Sequence, residues 1–267
     1  MKPRVIATDL DGTLLGPGRV LTERSRRALH AARAQGIAVV AVTARPPRVF
    51  LEWPALAAAL DAAICSNGAI TYAPDRHEIL STRTIDPETA AAVAKTLRAA
   101  LPGTKVAVET GFAVVAEPGY AKVDTVGDER VFTDSFDEVF TAASQIVKLL
   151  VHDPAGRADA MLAAARTAAL PGVHLSHSGG EGLLEITAAD VSKSTALAAW
   201  CAARGIGPAE AVAFGDMPND VPMLRWAGRS FAVSGAHPEA AAAATDRCGP
   251  CGEDGVAAAI EALIAPV

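Results

Sequence analysis

Residues 5–15 read VIATDLDGTLL, an apolar run that leads directly into two carboxylates, a glycine and a threonine. The segment RVIATDL, residues 4–10, predicts a buried β-strand, with Asp9 and Asp11 near its end. Side chains two positions apart along a strand point the same way, so both carboxylates can face one site. Two like charges repel at close range, and burying them is costly. The pattern therefore requires a positive partner, which can be a metal ion, a basic residue or both.

The segments that follow alternate between helix and strand patterns. Residues 21–36 predict a helix with Thr22 as its N-cap and Gly36 as its C-terminal stop. The run IAVVAVT (37–43) is typical of a central parallel strand that is covered on both faces, and DAAICSNGA (61–69) predicts a third strand that ends in a turn. This β-α-β-α-β order predicts a doubly wound parallel sheet, a Rossmann-like α/β fold.

The middle of the chain has a different pattern. From 83 to 187, short strand patterns such as KVAVE, FAVVAE and QIVKLLVHD alternate with two or three helical segments, whereas 188–267 returns to the α/β pattern. We therefore predict one core domain built from residues 1–82 and 188–267, with an independent α+β layer inserted at 83–187. The Pro- and Gly-bearing segments 117–130 and 176–182 predict loops.

Polar residues that can carry chemistry fall at the predicted carboxyl ends of strands, or at the start of the following helix. In an open α/β sheet, ligands bind at this edge. These residues are Asp9, Asp11, Thr43, Lys193, Asp216, Asn219 and Asp220. Carboxylates that converge on one site need a cation, and oxygen ligands of this kind suit Mg²⁺.

The same residues fit phosphoryl transfer. The Thr43 hydroxyl can donate to a phosphoryl oxygen, Lys193 can neutralise the transferring group, and an aspartate can form an aspartyl-phosphate. Singly, each residue has a simpler interpretation: an Asp-Gly pair forms a turn, Thr43 packs at a strand end, and Lys193 is a solvated helix residue. Their joint order along a doubly wound pattern favours a catalytic site.

Four motifs carry this chemistry, and three further segments accompany them. The motifs are DLDGTLL (9–15), TAR (43–45), Lys193 and GDMPND (215–220), and the further segments are SNGA (66–69), VSKSTAL (191–197) and AHPEAAAAATDRCGPCGEDGVAAAI (236–260). Together they resemble the haloacid dehalogenase-like (HAD) phosphohydrolase superfamily and its Cof-type, class IIB branch. The resemblance implies a HAD core with an inserted cap domain of the C2B type. It also implies a Mg²⁺-dependent phosphatase that hydrolyses a small phosphomonoester, such as a sugar phosphate, through an aspartyl-phosphate.

The resemblance further implies a role for each matching residue. Asp9 would be the nucleophile and a Mg²⁺ ligand, with Asp216 as the second carboxylate ligand. Asp11 would protonate the leaving group and then activate water, while its backbone carbonyl binds the metal. Thr43, Ala44 and Lys193 would hold the phosphoryl group. Asn67 and Gly68 would line the site, and Asn219 and Asp220 would order the metal's waters and Lys193. Ala44 stands where relatives often carry glycine, which affects local backbone geometry but keeps the Thr43 hydroxyl.

Other functions stay open at this point. A phosphotransferase or phosphomutase could use the same core, and release of free phosphate to water would distinguish a phosphatase from these. A non-catalytic phospholigand-binding protein is disfavoured because Asp9 and Asp11 are both present, and binding alone needs no proton shuttle. Cys248 and Cys251 form CGPC, the spacing of a thioredoxin redox motif, but they lie in a predicted loop, so a redox role is a weak alternative.

Composition restricts the partners. The chain of 267 residues is 51% hydrophobic and has a net charge of −6, which disfavours nucleic-acid binding. The first apolar run is too short for a signal peptide, and no apolar stretch is long enough to span a bilayer, so we expect a cytoplasmic protein without a membrane partner. We expect a small phosphorylated metabolite as the partner, and both a monomer and a homodimer stay open.

The predicted cap carries no specificity motif that can be read from the sequence. Its segment HLSHSGGEG (174–182) contains His174, His177, Ser178 and Glu181. We predict a solvent-exposed turn there, because loops are polar by default. The alternative is that His177 and Glu181 help to select the substrate.

Overall fold

The computed structural model describes residues 2–122, 129–179 and 182–265. The strands are β1 (Val5–Thr8), β2 (Ala38–Val42), β3 (Ala62–Cys65), β4 (Ile70–Ala73), β5 (Glu78–Thr82), β6 (Lys105–Glu109), β7 (Ala113–Ala116), β8 (Glu129–Phe132), β9 (Lys148–His152), β10 (Val173–Ser176), β11 (Leu183–Ala188), β12 (Ala211–Gly215), β13 (Arg229–Val233) and β14 (Asp246–Cys248). The α-helices are α1 (Glu23–Ala34), α2 (Val49–Glu52), α3 (Pro54–Ala57), α4 (Pro87–Ala100), α5 (Glu138–Ala142), α6 (Ala158–Thr167), α7 (Lys193–Ala202), α8 (Val221–Trp226), α9 (Pro238–Ala243) and α10 (Gly255–Ile264). None of these described helices is both long and apolar enough to cross a bilayer.

Eight strands form the first sheet, in the order β14-β13-β12-β1-β2-β3-β4-β5. The strands from β14 to β3 are parallel, as the alternating pattern predicts, and β4 and β5 add an antiparallel edge. In β1, Ile6 packs into one hydrophobic cluster while Val5 and Ala7 pack into another. Both faces of the central strand are therefore covered, which explains why its first three residues are all apolar.

The register of the central strands determines where the site lies. Thr8, the last residue of β1, pairs with Ala41 in β2 and with Phe214 in β12. These three parallel strands therefore end at the same edge of the sheet, and the loops that follow them emerge side by side.

The first strand is shorter than predicted. The sequence predicts a strand over 4–10, but β1 ends at Thr8. The backbone N–H of Asp9 still donates to Phe214, and the chain then turns, with the N–H of Leu15 donating to the carbonyl of Leu10. Gly12 adopts a φ of +79° in this turn, a conformation that favours glycine. Asp9 therefore lies at the end of the strand, and Asp11 lies within the turn.

Six strands from residues 105–188 form a second sheet, in the order β10-β11-β9-β6-β7-β8. Helices α4, α5 and α6 cover one face, with residues such as Leu97, Phe140 and Leu162 in one hydrophobic cluster with side chains of the sheet. The other face carries a smaller cluster that includes Val114 and Leu150. Among the described residues, no strand of this segment pairs with the eight-stranded sheet.

Two predicted loops contain regular structure. Residues 129 and 130 of the predicted loop 117–130 begin β8, which pairs in parallel with β7, while residues 123–128 lie outside the described part of the chain. Cys248 ends the edge strand β14 rather than lying in a loop, because residues 246–248 pair with β13. Cys248 and Cys251 are both free thiols, and burial raises the pKa of Cys248 to about 11. A thiol with a raised pKa is a poor nucleophile at neutral pH, which disfavours a redox role.

Candidate active site

A cavity of about 300 Å³ lies at the carboxyl edge of the eight-stranded sheet. Asp9 follows β1, Thr43 follows β2 and Asp216 follows β12, while Lys193 is the first residue of α7. From the predicted site, Asp9, Asp11, Thr43, Ala44 and Asn219 line the cavity. The six-stranded sheet contributes further lining residues, which include Val114, Glu109, Lys148, Leu150, Leu183 and Glu185.

The Lys193 ammonium is buried between two carboxylates. Its Nζ donates to Asp9 Oδ1 and to Asp220 Oδ1, both at 2.6 Å. Ser192 caps α7 through a capping box with Thr195, which places Lys193 at the start of the helix. Burial alone would lower the pKa of Lys193, but the two carboxylates outweigh burial and raise it. Lys193 is therefore a fixed positive charge beside Asp9.

The carboxylates around Lys193 are crowded. One oxygen from each of Asp9, Asp216 and Asp220 lies within 4.8 Å of the others. Burial raises the pKa of Asp9 well above its usual range; Lys193 opposes this shift, and the charges of Asp220 and Asp216 add to it. Burial and Asp220 raise the pKa of Asp216 to about 6, although the Thr13 hydroxyl donates to Asp216 at 2.6 Å. A nearby cation would stabilise the ionised forms of this group.

Two of these carboxylates have an oxygen that can bind a cation. Asp220 is fully used, because Oδ1 accepts from Lys193 and Oδ2 accepts from the backbone N–H groups of Asp216 and Met217. The described hydrogen bonds of Asp9 and Asp216 involve only their Oδ1 atoms, which leaves both Oδ2 atoms. A Cβ at Gly12 would lie 2.6 Å from Asp216 Oδ2, so the absence of a side chain there keeps this space open. The donor set fits Mg²⁺, which takes one or two carboxylates and keeps several waters.

Asp11 points away from this group. Its carboxylate accepts from Arg45 at 2.5 Å and 2.8 Å, and Arg19 Nε lies 3.5 Å away. The Asp11 side chain is 38% exposed, compared with 9% for Asp9. The two carboxylates of DLDGTLL therefore have different surroundings, one deep beside an ammonium and one at the open side of the cavity. Arg45 was not predicted as a partner of Asp11, although it lies inside the motif TAR.

The loop after β2 holds Thr43 through its backbone. The N–H of Thr43 donates to Ile64, and its carbonyl accepts from the N–H of Asn67. The Thr43 Oγ1 accepts from the N–H of Arg45 at 3.1 Å, so its hydroxyl hydrogen stays available to a ligand. Asn67 in turn accepts from the Asn219 amide at 3.0 Å, which joins this loop to the motif GDMPND.

Asn67 and Gly68 were both predicted to line the site, but neither is among the residues that line the cavity, and Gly68 packs behind it. A Cβ on Gly68 would lie 2.3 Å from the carbonyl oxygen of Ser192, and its φ is +106°. The glycine thus allows close packing against the residue that caps α7. Its contribution is to let Lys193 approach the sheet.

Three charged residues of the six-stranded sheet were not predicted as part of the site. Glu109, Lys148 and Glu185 are each at most 3% exposed. Lys148 Nζ donates to Glu185 at 2.7 Å and to the backbone carbonyl of Ala44 at 2.7 Å, and the Ser66 hydroxyl donates to Glu109. These contacts join the second sheet to the loops that hold Thr43 and Asn67. The only sequence signal is that charged residues interrupt apolar strand patterns.

His177 is buried, although the sequence predicts an exposed turn at this segment. His177 is 2% exposed, its Nε2 lies 3.0 Å from Asp159, and its ring lies near the His237 ring, with centroids 6.2 Å apart. His177 does not line the cavity, whereas Ser178 does. Glu181 lies outside the described residues. The structure thus gives His177 a packing role between the second sheet and the region before α9.

Two curated proteins resemble this chain in sequence over part of its length. YxeH from Bacillus subtilis (strain 168), which bears a provisional phosphatase name, is 38% identical over 81 residues, or 29% of this chain and 30% of that protein. The pyridoxal phosphate phosphatase YbhA of Escherichia coli (strain K12) is 47% identical over 78 residues, or 29% of this chain and 28% of that protein. The matched part therefore spans less than a third of either curated relative.

A solved structure covers the whole fold. It is described as a class IIB sugar phosphatase of the HAD superfamily, and it superimposes with a TM-score of 0.81 at 21% identity, covering 98% of this chain and 100% of the other. The profile of haloacid dehalogenase-like hydrolases matches residues 6–260, which include all four motifs. The chain therefore belongs to the haloacid dehalogenase-like hydrolase family, as its motifs predicted, and has the fold of a class IIB member.

Proposed function

We propose that this protein is a Mg²⁺-dependent phosphatase that hydrolyses a small phosphomonoester through an aspartyl-phosphate on Asp9. The observation that carries this proposal is the buried chain Asp9–Lys193–Asp220 beside Asp216, at the edge of the cavity. Phosphoryl transfer needs a nucleophile in line with the leaving group and positive charge around the phosphoryl oxygens. The carboxylate of Asp9, the fixed ammonium and the carboxylates that fit a cation meet these needs.

In the first half of the reaction, an oxygen of Asp9 attacks phosphorus while the bond from phosphorus to the leaving-group oxygen breaks. Lys193 uses two of its three N–H donors in described contacts, so the third is left for a phosphoryl oxygen. The Thr43 hydroxyl donates to another phosphoryl oxygen. Asp11 gives a proton to the departing oxygen, so that the leaving group departs as an alcohol.

In the second half, Asp11 accepts a proton from a water molecule as that water attacks phosphorus. The bond between phosphorus and Asp9 breaks, phosphate is released, and the Asp9 carboxylate is regenerated. The position of Asp11 suits this role, because its side chain is 38% exposed at the cavity and can meet both the leaving group and water. When bound by Asp9 and Asp216, Mg²⁺ would supply positive charge that offsets the repulsion among the carboxylates and the phosphoryl group.

We propose further that residues 83–187 form a cap domain over this site and that the substrate is a small phosphorylated metabolite, such as a phosphorylated sugar. The cavity between the two sheets supports this reading, since its volume suits a molecule of that size. The names of two similar proteins, a pyridoxal phosphate phosphatase and a sugar phosphatase, are consistent with this substrate range.

Phosphate release from a panel of phosphorylated metabolites tests the proposal. With Mg²⁺ present, we expect phosphate to appear from at least one phosphomonoester, and we expect EDTA to remove that activity. Added Mg²⁺ should restore it, whereas Ca²⁺ should restore much less because it prefers more ligands at longer distances. Full activity in EDTA would contradict the metal requirement.

The fate of the phosphoryl group distinguishes the alternatives. A phosphatase transfers it to water, so free phosphate should match the alcohol product in amount. A phosphotransferase or phosphomutase would consume substrate without an equal yield of free phosphate. Binding of phosphorylated ligands without any turnover would instead indicate a phospholigand-binding protein.

We expect Arg45→Ala to lower kcat by ~10²-fold, because small displacements of a catalytic group from its reacting geometry cost about this much. Arg45 makes two hydrogen bonds to Asp11, which fix the plane of the carboxylate that moves protons. Steady-state rates with the best substrate of the panel would measure the effect. Arg76→Ala is the matched control, since it also removes an arginine–carboxylate pair but at an exposed position. Equal rates for both variants would contradict the positioning role of Arg45.

A further inference from the structure

The six-stranded sheet presents a charged patch to the cavity that the proposed mechanism does not use. In the strand register, Glu109 pairs with Lys148, and Glu185 pairs with Leu150, two residues along β9 from Lys148. Residues two apart on a strand share a face, so all three charged side chains lie on the face that lines the cavity. Burying charges in this way is costly unless each is paired, so the partners of every atom matter.

Nearly all charged atoms of Glu109, Lys148 and Glu185 have a partner among the described residues. Lys148 Nζ contacts Glu185 Oε1 at 2.7 Å, the Ala44 carbonyl at 2.7 Å and Glu109 Oε2 at 3.5 Å. Glu109 Oε1 accepts from Ser66. Glu185 Oε2 is the exception: it is buried, and no described group lies in hydrogen-bonding geometry to it.

Glu185 is ionised in this environment. Burial alone would raise its pKa, but Lys148 outweighs burial, and weak polar contacts from the Ser178 and Asn67 side chains lower the pKa further, so the pKa of Glu185 is lowered. Neither of these two residues donates a hydrogen bond to Oε2. A buried carboxylate oxygen that lacks a donor is unfavourable, and it marks a position where a ligand group can donate.

We propose that Glu185 selects a leaving group that carries a hydroxyl, which donates a hydrogen bond to Glu185 Oε2; this inference rests on the proposed phosphatase function. A neutral donor fits better than an ammonium, because Lys148 already lies 2.7 Å from the other oxygen of the same carboxylate and would repel a second cation. An apolar leaving group would leave Oε2 buried and without a donor. The neighbouring wall formed by Val114, Leu150 and Leu183 suits the carbon skeleton of a polyol or sugar.

Two probes of equal carbon number test this inference: ribitol 5-phosphate and n-pentyl phosphate. Both are primary alkyl phosphates of five carbons, and only the first carries hydroxyls on its leaving group. For the unmodified protein we expect kcat/KM to be at least ~10-fold higher for ribitol 5-phosphate, as expected for a hydrogen bond to a charged group. Glu185→Gln keeps an oxygen for Lys148 but removes the charge, so it should lower kcat/KM for ribitol 5-phosphate by ~10-fold and leave n-pentyl phosphate nearly unchanged.

Glu109→Gln is the matched control. It removes one charge from the same three residues, but both Glu109 oxygens already have partners. We expect this variant to keep the ratio of kcat/KM between the two probes, and thermal unfolding would verify that both variants fold. Equal kcat/KM for the two probes, or an equal loss on both in Glu185→Gln, would overturn the inference while leaving the phosphatase function in place. If no phosphomonoester in the wider panel releases phosphate, the proposed function itself fails.

Discussion

Asp9→Asn should abolish phosphate release, with a loss of ~10³-fold or more in kcat, because an amide oxygen cannot replace the carboxylate as the attacking nucleophile. The same variant should fold normally. In the native protein, Asp9 is held near two other carboxylates, and burial already raises its pKa well above the usual range. A neutral amide removes that repulsion and can still accept from Lys193, which keeps its second partner, Asp220.

Three measurements separate the loss of the nucleophile from a loss of structure. Thermal unfolding should give a Tm close to that of the unmodified protein. Brief incubation with substrate followed by acid quenching should trap a phosphorylated protein only when Asp9 is present. Asp137→Asn serves as the control, since it neutralises an exposed aspartate that pairs with Lys95 far from the cavity, and it should keep full activity. Near-normal turnover in Asp9→Asn would exclude the aspartyl-phosphate mechanism.

The convergence of Asp9, Thr43 and Asp216 could be predicted because it depends on local patterns. An apolar run of strand length identifies a central strand, and parallel strands of one sheet end at a common edge. Each of these residues directly follows such a run. Once the order of the strands in the sheet is known, the three side chains must therefore lie close together. The position of Lys193 is also local, because Ser192 caps the helix that it begins.

Features that depend on contacts between distant segments could not be predicted in this way. The β4–β5 hairpin at the sheet edge is one example: three of the five residues in β5 are polar and three are exposed, so neither hydrophobicity nor alternation indicates a strand. The pairing of Arg45 with Asp11 could not be predicted, because nothing in TAR indicates which residue the arginine side chain contacts.

The cavity-lining residues of the second sheet are a further example of positions that the sequence could not predict. Alternation in KLLVH and LLEIT places Lys148 and Glu185 each on the side of its own strand opposite the buried Leu149 and Leu184. It does not indicate that this face covers the phosphoryl site, because that depends on how the two sheets are oriented. For the same reason His177, in a Gly- and Ser-rich segment, was predicted to be exposed, yet it is buried against Asp159.

Asp11→Asn should lower kcat by ~10²–10⁴-fold for alkyl phosphates, the usual contribution of a general acid or base. The rate of ester cleavage should fall far less for p-nitrophenyl phosphate, because nitrophenolate departs without protonation. Asp11 also activates water in the second half of the proposed reaction, so hydrolysis of the aspartyl-phosphate should become the slow step with this substrate.

Rapid mixing of Asp11→Asn with p-nitrophenyl phosphate should therefore release a burst of nitrophenolate that approaches one equivalent per protein molecule, followed by slow turnover. Arg45→Ala is the informative comparison, because it keeps the Asp11 carboxylate but removes the two hydrogen bonds that orient it. That variant should slow alkyl and aryl substrates without a comparable burst, since water activation is weakened but not lost. If Asp11→Asn slows both substrates equally and shows no burst, Asp11 does not move protons in this reaction, and its pairing with Arg45 is structural.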